Sequence, residues 1–446
     1  MSVVVRFAPS PTGDLHVGNV RLAVVNFLQA QCQPECFILR YDDTDTQRSR
    51  PEFIDAIDRD LRWLGLSWGK VFFQSHRLDL YMRARDQLIA AGRLYPCYET
   101  PEELEYMRNR QRAKGMPPIY DRSALSLTDA QKADFEAAGR RPHWRFRLDP
   151  GVISWCDEVR GTCTYEAAHL ADPVVIREDG SFLYFLPSVV DDIDMGVTHV
   201  VRGEDHVTNT AVQVQMFHAL EGDLPVFAHV PLLLDAAGQK LSKRTGGLSL
   251  STLRDQGVEP MAVNALMARL GTSDAVDPAE DWPSLLAGFD LGHFSRGAPR
   301  LDATDLFRLT EKCVHTLSWE QAKPRLIALG CERADESFWL AVRANLKAFV
   351  DAAQWYKIIY GPMVPVREDE EFLGTSACVL PQEPWGSQTW HTWTTAISHE
   401  TGRKGKALFL PLRLALTGLP QGPELHVLLP LLGRRRVLDR LGVCVS

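Results

Sequence analysis

Residues 3–19 read Val3-Val4-Val5-Arg6-Phe7-Ala8-Pro9-Ser10-Pro11-Thr12-Gly13-Asp14-Leu15-His16-Val17-Gly18-Asn19. The β-branched run at the start predicts a buried strand. The two prolines and the glycine that follow force an irregular turn. From Gly18 the apolar spacing of Val20, Ala23, Val24, Phe27 and Leu28 is helical. A strand therefore feeds a helix through a tight loop. The entrance of such a helix points unpaired backbone N–H groups and a partial positive charge at whatever occupies the loop, and phosphate is the usual occupant. Neither of the common glycine-rich phosphate patterns is present. The loop carries instead His16, able to donate to a phosphate oxygen, and Gly18, which lets a nucleotide approach the backbone. On spacing alone, an ordinary strand–turn–helix with a surface histidine fits equally well. The next apolar run, Phe37-Ile38-Leu39-Arg40, completes a strand–helix–strand unit, expected to be parallel with a right-handed crossover.

A second segment far along the chain has related chemistry. Val230 to Leu234 reads as an apolar strand, followed by Asp235-Ala236-Ala237-Gly238-Gln239 and Lys240-Leu241-Ser242-Lys243-Arg244-Thr245-Gly246-Gly247. Cations at Lys240, Lys243 and Arg244 in a glycine-flanked loop can close on a triphosphate and neutralise charge as it develops. A solvated basic turn is the plainer alternative. The two segments together are far harder to obtain by chance than either alone.

Here the residues carry a resemblance. Pro9 to Asn19 looks like the first signature of class I aminoacyl-tRNA synthetases, and Lys240 to Arg244 like the second. Arg6 to Gly13, Arg40-Tyr41-Asp42-Asp43-Thr44-Asp45, and the runs Val189-Val190-Asp191-Asp192 and Met195 to His206 narrow it to the glutamyl-tRNA synthetase family, bacterial type. The resemblance continues through Gly402 to Gly418 and Leu431 to Leu441. It implies an α/β fold: a Rossmann-type catalytic domain (1–74 and 191–247) with an inserted α/β acceptor-stem-binding domain (75–190). A helical stem-contact domain (248–305) and an all-α anticodon-binding region (306–446) would follow.

The resemblance also implies site residues. His16, Lys240 and Lys243 are expected to stabilise the transition state of adenylate formation. Arg6, Ala8, Ser10, Asp42, Tyr184 and Arg202 correspond to positions that hold glutamate. His16, Gly18, Asn19, Asp205, Leu233 and Lys243 correspond to positions that hold ATP, with Asp205 at the ribose and Leu233 at adenine or in a core strand. The chemistry agrees, because a buried carboxylate must be paired and arginine pairs it through parallel donors. Arg6 and Arg202 supply one guanidinium for each carboxylate of glutamate, with Arg6 assigned to the side chain. A structural ion pair is the ordinary role of either arginine alone. Where the family has glutamate to meet the amino group, this chain has Asp42, which keeps the charge and leaves direct or water-bridged contact open. Some relatives bind zinc through cysteines beginning at a Cys-x-Cys pair. Here Cys97 is followed by Tyr98 and Glu99, and Tyr120-Asp121-Arg122-Ser123 has no cysteine. A four-ligand site lacks partners, so no structural zinc is expected; Mg2+ enters with ATP.

The remaining features set bounds. A chain of 446 residues predicts several domains. There is no basic-then-apolar leader and no apolar run of the ~20 residues that a membrane helix needs, so neither a signal peptide nor a membrane span is expected. Nine scattered cysteines read as reduced thiols of a cytoplasmic protein. A net charge of −8 argues against a broad nucleic-acid surface, although local patches at Arg140 to Arg147 and Arg434 to Arg436 could serve. Pro51 opens a helix with Ile54, Ile57, Leu61 and Leu64 on one face and Gly65 as its stop. Thr100-Pro101-Glu102-Glu103 predicts a capping box opening a helix that runs to about Gly115. Late in the chain, Trp339, Val342, Leu346, Phe349, Val350 and Ala353 share one helical face, and Trp390, Trp393 and Ile397 another. Ala407, Leu408 and Leu412 begin a further helix, and the last starts near Glu424. This half reads as a helical bundle, not a β-barrel, which separates it from the eukaryotic-type glutaminyl enzyme.

The implied function is ATP-dependent attachment of L-glutamate to the 3′ end of tRNA(Glu), through a glutamyl-adenylate, by a monomer. Two alternatives stand beside it: an enzyme that also or only charges tRNA(Gln), and a non-catalytic tRNA-binding paralogue.

Overall fold

The computed structural model describes residues 3–45, 47–239 and 249–443. The chain divides into two compact units, residues 1–253 with 263–303, and residues 254–262 with 304–446.

The first unit opens with β1 (Val5–Phe7), α1 (Val17–Gln29), β2 (Phe37–Tyr41), α2 (Pro51–Trp63) and β3 (Lys70–Phe73). β1 pairs with β2, and β2 with β3, all parallel. Both β1 and β2 are buried along their whole length, as parallel strands covered on two faces must be. α1 presents Val17, Val20, Val24 and Val25 to the interior. α2 starts on Pro51 and buries Ile57 and Leu61, and Gly65 beyond its end has φ +77°, as a helix stop requires.

Next come α3 (Leu78–Ala90), β4 (Leu94–Cys97), α4 (Pro101–Ala113), α5 (Asp129–Ala137), β5 (His143–Phe146), β6 (Val152–Asp157), β7 (Gly161–Glu166) and β8 (Val174–Ile176). The predicted capping box forms, with Thr100 and Glu103 satisfying each other's backbone N–H. β4, β5 and β8 make a small antiparallel sheet. β6 and β7 form a hairpin in register from Val152↔Glu166 to Asp157↔Gly161.

α6 (Phe185–Asp194), β9 (His199–Gly203), α7 (Val207–Ala219) and β10 (Val226–Val230) follow. β10 lies parallel to β9 from Val226↔His199 to Val230↔Gly203, and takes β6 on its other side at Phe227↔Asp157. The β1–β2–β3 sheet and the β9–β10 sheet meet where the N–H groups of Thr198 and His199 donate to the Val4 carbonyl, at 2.9 and 3.2 Å. The strand order turns back at this seam, which is where open α/β sheets leave a crevice for ligands. The apolar run at Val230 to Leu234 is not the strand expected from its composition. β10 ends at Val230 because Pro231 offers no N–H to the ladder, and Leu234 makes only an isolated parallel bridge with Arg300.

Three helices come next in the chain, α8 (Leu250–Asp255), α9 (Pro260–Arg269) and α10 (Trp282–Leu286). The remaining elements are α11 (Ala303–Thr316), α12 (Trp319–Ala328), α13 (Glu336–Val342), α14 (Ala352–Tyr360), α15 (Glu370–Cys378), α16 (Thr389–Thr401), α17 (Lys406–Thr417) and α18 (Leu425–Leu441). No strand occurs among the described residues of this stretch, as the bundle reading requires. Its core is built on Trp339, Trp393, Leu412 and Leu428, all fully buried. The single helical face expected from Trp339 to Ala353 is broken. The Asp351 carboxylate captures the N–H groups of Lys347 and Ala348 at 3.1 and 3.0 Å, which holds a tight turn in place of a continuous helix. Val350 is consequently 52% exposed.

Candidate active site

The crevice is a cleft of about 460 Å³ in the first unit. Its floor is the loop after β1. Pro9 and Pro11 keep this loop out of any ladder, and their carbonyls accept from Asp42 N and Arg50 N at 3.1 Å each. The loop delivers His16 as the N-cap of α1, where its Nδ1 accepts from the Gly18 N–H at 3.1 Å. In the neutral ring the proton then resides on Nε2. A Cβ at Gly18 would sit 2.9 Å from the His16 ring, so any larger residue there would displace that side chain.

The residues singled out from the sequence converge. Arg6, Ala8, Ser10, His16, Gly18 and Asn19 line the cleft from the first strand–helix unit, with Asp42 from the end of β2. Tyr184, Arg202, Asp205 and Leu233 line it from the second half of the sheet. Lys240 and Lys243 lie outside the described residues. Ser249, the next described residue, forms an antiparallel bridge with His16.

The electrostatics separate three buried arginines. Arg40, 1% exposed, donates to Asp42 at 2.7 Å and to Asp192 at 2.7 Å, with Asp191 at 3.8 Å. Burial alone would lower its guanidinium, yet the three carboxylates raise it well above its ordinary value. Arg6 donates through Nε to Asp192 at 3.0 Å. Arg202, 6% exposed, is different. It donates to His229 Nε2 at 3.2 Å, to the Tyr184 hydroxyl at 2.8 Å and to Thr210 Oγ1 at 2.6 Å. Among the described residues it has no carboxylate partner, and burial lowers its guanidinium. Burial likewise raises the Asp42 carboxyl against the opposing pull of Arg40. The cleft therefore holds a desolvated cation and a desolvated carboxylate, each able to gain from a ligand of opposite charge.

Several participants were not singled out. Asp191 accepts from Gln74, Arg77 and Tyr81 at 2.7 to 3.0 Å, and with Asp192 it anchors the arginines from α6. Two acids between Val190 and Ile193 are the available sequence signal, since charge inside an apolar helical run needs a partner. His229 in the apolar strand Val226–Val230 is the other. Two of the four arginines in the run Arg140 to Arg147 are already engaged. Arg140 is committed to Glu103 at 3.0 Å, and Arg145 is buried, donating to the Asp172 carbonyl at 2.7 Å.

Near β4, Cys97, Glu99 and His143 place donor atoms within 4.8 Å of one another. His143 is a partner that the spacing of the cysteines did not reveal. Zinc fits this set poorly. Tyr120 donates to Glu99 at 2.6 Å, and among the described residues the group numbers three where a structural site takes four.

With this geometry in hand, comparison places the chain among known proteins. Residues 2–279 match the family model tRNA synthetases class I (E and Q), catalytic domain, and residues 340–445 match that of an anticodon binding domain. The chain belongs to the class I tRNA synthetases of this E and Q family. It is 56% identical to glutamate–tRNA ligase 2 of a Methylobacterium species, over 99% of both chains. It is 54% identical to glutamate–tRNA ligase 1 of Parvibaculum lavamentivorans, over 98% of both. Among solved structures, it is similar to a glutamate tRNA ligase from Elizabethkingia meningosepticum in complex with its amino acid. That likeness has a TM-score of 0.85 at 25% identity and covers 99% of this chain and 98% of the other.

Proposed function

We propose that this protein attaches L-glutamate to the 3′ end of tRNA(Glu) in two steps. In the first, an oxygen of the glutamate α-carboxylate attacks the α-phosphorus of MgATP, and pyrophosphate leaves. In the second, a hydroxyl of the terminal ribose attacks the adenylate carbonyl, and AMP leaves. No covalent protein nucleophile is required. The observation that carries the reading is Arg202, a buried guanidinium without a carboxylate counter-ion among the described residues, facing the same cleft as the N-terminus of α1.

In this reading Arg6 and Arg202 take the two carboxylates of glutamate, with Tyr184, Ala8 and Ser10 around them and Asp42 toward the ammonium group. His16, the entrance of α1, Lys240 and Lys243 stabilise the phosphate charge that grows in the transition state. Gly18, Asn19, Asp205 and Leu233 hold the nucleotide. The bridge between His16 and Ser249 supports the joint role of the two signatures, because it brings the chain back to His16 directly after residues 240–248. Residues 1–74 and 191–247 serve as the catalytic domain, 75–190 as the acceptor-stem-binding insertion, 248–305 as the stem contact and 306–446 as the anticodon-binding region. The protein acts as a monomer without structural zinc. No described helix is long and apolar enough to cross a membrane, and the eight described cysteines are free thiols, which fits the cytoplasm.

The test is charging of tRNA(Glu) and tRNA(Gln) transcripts, side by side, with radiolabelled glutamate. Product on tRNA(Glu) is expected, and none on either would leave a tRNA-binding paralogue. Lys243→Ala should cut adenylate formation by ~10²-fold or more, as loss of one charge-stabilising donor does. Near-normal turnover in that variant would refute its role.

A further inference from the structure

Asp157 closes strand β6, and His229 lies next to the end of β10. Both side chains are fully buried, with a Nδ1–Oδ2 distance of 2.5 Å. Asp157 also accepts from the N–H groups of His229, Val159 and Arg160 at 2.9 to 3.2 Å. Four donors around one carboxyl keep it ionised and therefore acceptor-only. His229 must then carry its proton on Nδ1, which leaves Nε2 as an acceptor. That nitrogen faces the Arg202 Nε–H at 3.2 Å and the Thr210 hydroxyl at 2.8 Å. The opposite tautomer would set an N–H against an N–H.

With Nε on His229, one N–H on Tyr184 and one on Thr210, three of the five guanidinium donors are committed. Two remain, one on each terminal nitrogen, as a bidentate carboxylate contact requires. The neutral imidazole also fixes Arg202 without neutralising it, which a carboxylate in the same place would do.

We propose that His229, its tautomer fixed by Asp157, is a positioning residue that sets Arg202 for a carboxylate of the amino-acid substrate. The proposal rests on the reading of Arg202 as a glutamate-binding residue. A buried acid–imidazole pair does here for a binding arginine what such pairs do elsewhere for nucleophiles.

The experiment is steady-state tRNA charging with the full chain, reading kcat/KM for glutamate against KM for ATP. His229→Asn keeps the reach to Asp157 and loses the acceptor toward Arg202. His229→Gln keeps an acceptor there. Asp157→Asn releases the tautomer. We expect kcat/KM for glutamate to fall about tenfold in His229→Asn and in Asp157→Asn, with recovery to within about threefold in His229→Gln and KM for ATP within about twofold throughout. In an Arg202→Lys background, His229→Asn should add no further loss, because the arginine it acts through is gone. Equal losses in His229→Asn and His229→Gln, parallel changes in both substrates, or additive losses in the double variant would overturn the proposal. Should His229→Asn fail to fold, His229→Gln and the Asp157→Asn profile decide. If Arg202→Lys alone leaves glutamate kinetics unchanged, the reading of Arg202 fails first, and separately.

Discussion

Replacing Asp192 by asparagine tests the electrostatic frame of the cleft directly. Its Oδ1 accepts from Arg6 Nε at 3.0 Å and from Arg40 Nη1 at 2.7 Å, and the three side chains are 3, 5 and 1% exposed. An amide in place of the carboxylate would keep the volume and remove the charge. Breaking a buried pair from one side costs ~3–5 kcal/mol, because the partner's charge is left uncompensated. The two arginines share that loss unequally. Arg40 retains Asp42 at 2.7 Å and Asp191 at 3.8 Å, whereas Arg6 has no other carboxylate within pairing distance among the described residues. The cost should therefore fall at the low end, about 3 kcal/mol, carried mainly by Arg6. Urea unfolding of the variant and the parent measures it. Charging kinetics should show at least about a tenfold loss of kcat/KM for glutamate, since a misplaced binding group costs more than its contact energy. Asp191→Asn is the comparison: its hydrogen bonds go to Gln74, Arg77 and Tyr81 and it reaches Arg40 only at 3.8 Å, so stability should fall while kcat/KM for glutamate falls less than in Asp192→Asn. A variant Asp192→Asn that unfolds within about 1 kcal/mol of the parent and charges normally would refute the view that this carboxylate holds Arg6.

Two further outcomes follow from the site and its surroundings. The ring of His206 is lowered to about 4 by burial and by the charge of Arg202; the unfolded chain takes up that proton near the ordinary value of 6.5. The stability from the neutral ring is thus full above that value and is lost as pH falls toward about 4, so thermal melts over this window should slope downward and His206→Gln should reduce the slope, leaving the part due to His143, His199 and His229, which burial shifts the same way. At the Cys97, Glu99 and His143 cluster, elemental analysis of the purified protein should find no stoichiometric zinc, and a chelator should leave both melting and charging unchanged; a full equivalent of bound zinc would reverse the reading of that cluster.

What the sequence makes legible is what the chain determines locally. Pro9, Pro11 and Gly13 fix the loop after β1, Thr100 and Glu103 cap α4, and Pro51 starts α2, each through neighbours a few positions away. Local pattern fails where a distant or competing partner decides. The apolar run after Val230 yields to the missing N–H of Pro231, and the helical face through Val350 yields to the Asp351 side chain. The arginines of the cleft make the same point at the level of function. Arg6, Arg40 and Arg202 each lie in a buried strand and look alike as letters. Asp192 lies 186 residues from Arg6 and 152 from Arg40, so their neutralisation is a property of the fold. Arg202 meets instead an imidazole 27 residues on, held by an aspartate 72 residues before it. A buried cation left without a counter-charge costs folding energy until a ligand supplies the charge. The arginine whose charge the fold leaves unneutralised is therefore the one with most to gain from an anionic substrate, and the distinction depends on which acid reaches which arginine in three dimensions.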